Sequence, residues 1–168
     1  GNKAGGSFKQ EIGSFGKIRS SLGYNSGKLK NGWGFTLAGS YKQGNGFVDQ
    51  TWTEGYFYYA KLQKEIGNHL ISLSVMGAPQ KHGQRSYKSN IATYDTTIAR
   101  ELGDTSNWNN QITNKGITYN KHWGKLNRWQ INNSGDTLNN RERLNTRQNY
   151  YHKPQYSLRH FWRVNEKF

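Results

Sequence analysis

Residues 33–42 carry the pattern that most restricts this chain. Every second side chain from Trp33 is bulky or apolar, through Phe35 and Leu37 to Tyr41, with Gly39 between. The residues that alternate with them, Gly34, Thr36, Ala38, Ser40 and Lys42, are small or polar. A period of two belongs to a β-strand, whose successive side chains point to opposite sides of the sheet. This strand meets two different environments, and its apolar side faces either a soluble core or lipid. Composition bears on the choice. Apolar residues make up 32% of the chain, against about 45–50% (counted with Gly) in an ordinary globular protein, and mean hydropathy is −1.03. An aromatic content of 14%, with 20 Gly and 2 Pro, is too rich for a solvated tail and suits many strands joined by turns. Outer-membrane barrels are likewise polar on average and rich in aromatics, because only alternate strand residues see lipid.

The same alternation recurs along the first 78 residues. Residues 7–14 place Phe8 and Ile12 on one side, and 17–25 alternate Ile18, Ser20, Leu22 and Tyr24 against Lys17, Arg19, Ser21 and Gly23. Residues 54–64 set Tyr58, Ala60 and Leu62 against Tyr59, Lys61 and Gln63. Residues 69–78 set Ile71, Leu73, Val75 and Gly77 against Leu70, Ser72, Ser74 and Met76. Gly- and Asn-bearing turns separate these runs at 13–16, 25–32, 43–52 and 65–68, the signature of a hairpin meander. After "GAPQ" (77–80) the alternation stops until 155–164, where Tyr156, Leu158, His160, Trp162 and Val164 oppose Ser157, Arg159, Phe161 and Arg163. The spacing of Ile91, Tyr94, Ile98 and Leu102 predicts a helix over 89–102, with Ser89 or Asn90 as N-cap and Gly103 past its end. The rest of 79–154 has no clear period. It holds 12 Lys and Arg against 5 Asp and Glu, half of the chain's net charge of +14. A segment this long and this rich in aromatics is expected to be ordered and functional.

Several chemistries find no support. There is no cysteine, which excludes a disulfide framework, a thiolate zinc site and a cysteine nucleophile. The five His lack metal-ligand spacing, and no two of the ten carboxylates form a recognisable acid/base pair. Neither an enzyme nor a cofactor is expected. "GSFGK" (13–17) lacks phosphate-loop spacing and reads as a turn, and "NNS" (132–134) is a formal glycosylation sequon. The basic charge raises nucleic acid as a partner, but no block of five basic residues and no recognition helix accompanies it, and an anionic surface fits it equally well. No run of about 18 apolar residues predicts a membrane helix. The opening "GNKAGGSFKQ" has no signal-peptide character, so the sequence is expected to start inside a larger protein or after processing.

The aromatics favour lipid. Trp33 opens its strand and Tyr41 closes it, Tyr24 ends the second and Tyr56 and Tyr58 begin the fourth, with aliphatic residues between. That sorting makes girdles at the two interfaces of a bilayer. Trp33, Phe35, Leu37, Tyr41, Leu73 and Val75 are the expected lipid-facing residues, and His160 sits awkwardly among them. In the long segment Trp108, Tyr119, Trp123, Arg128 and Trp129 offer stacking faces beside planar polar groups, a combination suited to sugars. Lys81 and Arg85, in "QKHGQRSY" (80–87), are placed to meet lipopolysaccharide phosphate.

The run "GSFGKIRSSLGYNSGKLKNGWGFTLAGSYKQGNGFVDQTWTEGYFYYAKLQKEIGNHLISLSVMGAPQKHGQR" (13–85) closely resembles the first barrel strands of TonB-dependent outer-membrane receptors of the Bacteroidetes type. "GITYNKHWGKLN" (116–127) and "NYYHKPQYSLRHFW" (149–162) are similar to the loop and returning strand that follow there. The resemblance covers nearly the whole chain, least closely at 88–115 and 128–145. It implies a bacterial outer-membrane receptor whose 22-stranded barrel encloses an N-terminal plug and draws energy from TonB to import a scarce or large nutrient such as a glycan, a siderophore or cobalamin. On this resemblance Gly1 is expected to lie just after the plug and the TonB-contacting box, and Phe168 in a periplasmic turn before the C-terminal strands. The expectation is an all-β fold, about six strands of a transmembrane antiparallel β-barrel. Residues 1–78 form the first five strands, 79–154 one long extracellular loop with a short helix, and 155–168 the returning strand. The implied partners are the rest of the barrel and plug, TonB through the missing N-terminal part, a surface lipoprotein and lipopolysaccharide, with no nucleic acid. Two rivals remain: a soluble basic β-rich module binding glycan or nucleic acid, and a non-energised porin-like barrel.

Overall fold

The structure is a computed structural model that describes residues 3–85, 90–105, 115–125, 128–131, 133–140 and 143–164. Among these, twelve strands run in chain order: β1 (Gly5–Gly13), β2 (Lys17–Asn25), β3 (Trp33–Gly44), β4 (Thr53–Ile66), β5 (His69–Gly77), β6 (Gln80–Gly83), β7 (Trp123–Lys125), β8 (Arg128–Ile131), β9 (Thr137–Asn140), β10 (Arg143–Asn145), β11 (Gln148–Tyr151) and β12 (Gln155–Trp162). One short helix, α1, spans Thr96–Glu101. The fold is all-β and antiparallel, as the alternation predicted. The chain forms two compact units, one of Gly1–Gly44, Thr53–Lys81 and Tyr150–Phe168, the other of Asn45–Trp52 and His82–Asn149.

The first unit is a sheet in the order β1-β2-β3-β4-β5-β12. Each strand pairs with its sequence neighbour until β12 returns to β5, and β1 and β12 end the run. Register places the alternation in line across the sheet. Phe8 lies opposite Leu22, and Leu22 opposite Gly39. Phe35 lies opposite Leu62, Leu62 opposite Leu73, and Leu73 opposite Leu158. A slip of one residue in any pair would reverse a face. β4 is the longest strand at 14 residues, because residue 53, left outside the strand on sequence, and 65–66, assigned to a turn, still pair.

Two turns fix that register by backbone geometry. Gly67 holds φ at 55° in the two-residue link between β4 and β5. The longer link between β2 and β3 is built by its own side chains. Asn25 Oδ1 accepts from Gly27 N at 2.7 Å, and Ser26 Oγ accepts from Phe35 N at 2.8 Å. Gly32, at φ 74°, passes so close to β4 that a Cβ there would lie 2.5 Å from the Glu65 carbonyl oxygen.

In the second unit the helix is shorter than its spacing predicted. Asp95 is extended (φ −157°, ψ 114°), and its carboxylate accepts from Ile98 N at 3.0 Å, so Asp95 is the N-cap and no helix continues through it. Asn90 instead caps a 3-10 turn at Ile91–Thr93. The stretch without a clear period contains nested strand pairs: Trp123 lies opposite Asn145 in β7 and β10, and Arg128 opposite Asn140 in β8 and β9. Residues 45–52, read as a separate loop, belong to this compact unit. Among the described residues the buried apolar side chains are Ala92 and Ala99, 2% and 0% exposed, so the sheet of the first unit has no apolar interior.

Two glycine substitutions separate the turn effects. Gly16→Ala, at φ 65° in open space, is expected to cost about 1 kcal/mol from the left-handed backbone alone. Gly32→Ala adds a backbone clash and is expected to cost about 3 kcal/mol or more. Denaturant titration of the folded protein measures both; equal costs would contradict the contact with Glu65.

Candidate functional site

The sheet's two faces differ in chemistry, and the candidate site is the sheet itself. One face carries Phe8, Leu22, Phe35, Leu37, Ala60, Leu62, Leu73, Val75 and Leu158 in register. It is open: Phe8 is 68% exposed, Leu73 55% and Leu158 74%. Of the six residues expected to face lipid, Trp33, Leu37 and Leu73 are exposed and Phe35, Tyr41 and Val75 half-buried, all on this face.

Polar-tipped side chains bound the aliphatic band at both ends. At one end Lys64 Nζ lies 4.9 Å from the Trp33 ring centroid and donates to the Asn31 carbonyl. His160 lies at this same end, and its partner explains its presence: its Nε2 is 3.0 Å from His69 Nδ1, and the two rings stack at 5.2 Å. Trp162 stacks on His69 from 5.7 Å. At the other end the Tyr41 and Tyr56 rings lie 4.8 Å apart, and both phenols donate to Glu54 Oε1 at 3.3 Å. Tyr58 lies over Gly77, where a Cβ would come within 2.7 Å of the ring, and its hydroxyl meets His152 Nε2 at 2.9 Å. Sequence reading found the aromatics but not their partners, because Glu54 reaches Tyr41 and His69 reaches His160 only across neighbouring strands, and His152 reaches Tyr58 only when the chain returns to the sheet.

The opposite face carries Lys9, Glu11, Lys17, Arg19, Lys42, Lys61 and Arg159 among Ser, Thr and Gly, with Phe57, Tyr59, Leu70, Met76 and Phe161 as its larger apolar and aromatic side chains. Lys9 and Arg19 hold Glu11 at 2.9 and 3.7 Å, and Lys28 holds Glu65 at 2.7 Å. A cleft of about 580 Å³ opens on this face over β4, β5 and β12, with Lys61, Ser72, Ser74 and Arg159 in its lining.

The expected ligand residues of the long segment fare differently. Trp108 lies outside the described residues. Arg128 and Trp129 fall on β8, and Trp123 is half-buried on β7. Tyr119 lies beneath Lys115, whose Nζ is 4.6 Å from the ring centroid and donates to the hydroxyl at 3.2 Å. Arg85, placed on sequence to meet phosphate, donates to the Ile117 and Tyr119 carbonyls at 2.9 and 3.1 Å and stacks 4.6 Å from the Tyr94 ring centroid. Asn120, 1% exposed, is the pin of this unit. Its Nδ2 donates to the Asp49 and Gln84 carbonyls, and its Oδ1 accepts from His122 N. Thus Arg85, Tyr119 and Asn120 are engaged in holding the unit's own chain together. A scan against models of known protein families finds no match, and neither curated proteins nor solved structures yield one.

Asn120→Ala leaves buried polar groups without partners and is expected to destabilise the second unit by about 2–3 kcal/mol. Limited proteolysis within residues 82–149 should accelerate at least tenfold while amide exchange in β2–β5 stays unchanged; unaltered proteolysis would show that the pin is dispensable.

Proposed function

We propose that the sheet is a stretch of the wall of a transmembrane β-barrel in a bacterial outer membrane, part of a TonB-dependent receptor that imports a scarce or large nutrient. The observation that carries this reading is the open apolar face with its two polar-tipped borders. Leaving the six side chains Phe8, Leu22, Leu37, Leu62, Leu73 and Leu158 48–74% exposed to water forgoes on the order of 10 kcal/mol of transfer free energy, comparable to the stability of an entire domain. Lipid removes that cost. The dimensions agree. From Trp33 to Tyr41 a strand advances about 27 Å; tilted by about 40°, it spans ~21 Å, close to the apolar band of about 25 Å in such barrels. Tyr and Trp at the borders place an apolar ring in the acyl boundary and a polar tip in the headgroups.

The opposite face supports a water-filled interior, since its Lys, Arg and Ser side chains need water or polar partners. The unpaired edges of β1 and β12 require further strands, because open backbone edges do not occur in hydrocarbon. Energised import, and the plug, TonB and a surface lipoprotein as partners, follow from the resemblance of residues 13–85 to receptor strands; that no catalysis is expected follows from carboxylates that form no acid/base pair. A soluble basic module is disfavoured by the open apolar band.

The test is twofold. The protein expressed from its complete reading frame should sediment with membranes and leave them only in detergent; a freely soluble monomer contradicts the proposal. Leu73→Arg on the apolar face should cost about 2–4 kcal/mol in liposomes, whereas Ser40→Lys on the other face should change stability by less than about 1 kcal/mol. Equal effects of the two would place water on both sides.

A further inference from the structure

The cleft over β4, β5 and β12 has an unusual balance of groups. Register orders the water-facing side of the sheet here in rows, of which Gln63, Glu65 and Leu70 flank the cleft and the others line it, joined by Tyr156 at the β12 edge. Tyr59, Met76 and Gln155 form the first; Lys61, Ser74 and Ser157 the second; Gln63, Ser72 and Arg159 the third; and Glu65, Leu70 and Phe161 the fourth. Two cations thus stand at opposite corners of a patch of hydroxyls, with Tyr59 towards one end and Phe161 at the other. The lining contains no carboxylate. Glu65, in the fourth row, is engaged by Lys28. Lys61 has no ion-pair partner among the described residues, and Arg159 has only the Ser157 hydroxyl, at 3.3 Å from its Nε. Ser72 is 5% exposed; among the described residues its hydroxyl has no hydrogen-bond partner, and Ser72 lines the cleft.

These features call for a complement. A half-buried Lys and an Arg beside a row of serine hydroxyls are matched by an oxyanion carried on a scaffold that itself bears hydroxyl groups, with flat apolar surfaces for Tyr59 and Phe161. We propose that this cleft is a binding site for acidic sugars, one station on the path of an anionic saccharide cargo. The inference rests on the barrel reading, which puts this face in water. Lys61 and Arg159 neutralise the carboxylate, sulfate or phosphate group; Ser72, Ser74 and Tyr59 exchange hydrogen bonds with ring hydroxyls; and the aromatic rings pack on the sugar's apolar faces. Selectivity follows from desolvation, because a neutral sugar leaves both cations unanswered while gaining the same hydroxyl contacts.

The experiment uses the protein from its complete reading frame, extracted from membranes in detergent, so that detergent-dependent extraction reports on the barrel reading separately. Binding is measured by calorimetry for three acidic probes (digalacturonate, 3′-sialyllactose and an unsaturated heparin disaccharide) and two neutral counterparts, galactobiose and lactose. At least one acidic probe should bind tenfold or more tightly than the neutral sugars and weaken with salt. Lys61→Gln and Arg159→Gln should each raise its Kd about tenfold, with Lys61→Arg restoring it and Lys9→Gln, outside the cleft, leaving it unchanged. Circular dichroism of each variant must retain the strand signal; a variant that loses it is replaced by Lys61→Met or Arg159→Lys. No acid preference in a properly extracted protein overturns the inference and leaves the barrel reading standing. An acid preference untouched by the substitutions also overturns it, as does binding confined to a hexaglutamate control, which would assign the cleft to an acidic polypeptide.

Discussion

Backbone hydrogen bonding is the constraint on which the rest of this structure depends. A strand in hydrocarbon has no water to answer its N–H and C=O groups, and each unanswered group costs several kcal/mol. Within the sheet this demand is met from β1 through β12 by continuous antiparallel ladders. It is not met along the outer edges of β1 and β12, which end the run. On the proposed reading, those edges are seams to further strands of the same wall. The length of the paired stretches, nine to fourteen residues from β1 to β5, is what a tilted membrane strand of about 9–11 residues with some overhang requires.

Once the ladders fix register, the faces follow. The same pairing that sets Leu62 between Phe35 and Leu73 sets Lys61 between Thr36 and Ser74. Hydrophobic burial inside the protein contributes little to this unit, since among the described residues the buried apolar side chains, Ala92 and Ala99, lie in the other unit. Hydrogen-bonded ladders, cross-strand aromatic pairs such as Tyr41 with Tyr56 and Tyr24 with Phe35, and the surrounding solvent carry the stability. The turns are correspondingly well built: Ser26 and Asn25 tie the link between β2 and β3 with side-chain hydrogen bonds.

The strands were legible because a period of two survives in a chain of low hydropathy. Ile18, Leu22, Leu37 and Leu73 mark their faces without help from tertiary structure. Strand ends were less legible: Thr53, Glu65 and Ile66 belong to β4, but composition near a turn does not reveal whether pairing continues. The helix was overextended because Ile91 and Ile98 keep helical spacing across a break that only the extended backbone and cap at Asp95 disclose. Strands β7 to β10 left no alternation to read, being short and rich in Asn, Arg and Thr. Sequence marked the loop aromatics as contact residues, but Tyr119 proves to sit beneath Lys115. The cleft over β4, β5 and β12 was illegible because residues 61, 72 and 159 meet only when β12 returns to β5.

The central claim is that the two faces of β3 look into two solvents. The chain has no cysteine, so a single cysteine placed at each of residues 34–41 and labelled with a nitroxide reports one site at a time. Collision of the label with oxygen, which concentrates in lipid, is compared with collision with a water-soluble nickel chelate in protein reconstituted into bilayers. The account predicts a period of two, with oxygen favoured at 35, 37 and 39 and never at 34, 36, 38 or 40. Positions 35, 37 and 39 shielded from both reagents would mean a buried core, and positions open to the nickel chelate on both faces would mean water on both sides. Either result would contradict the account.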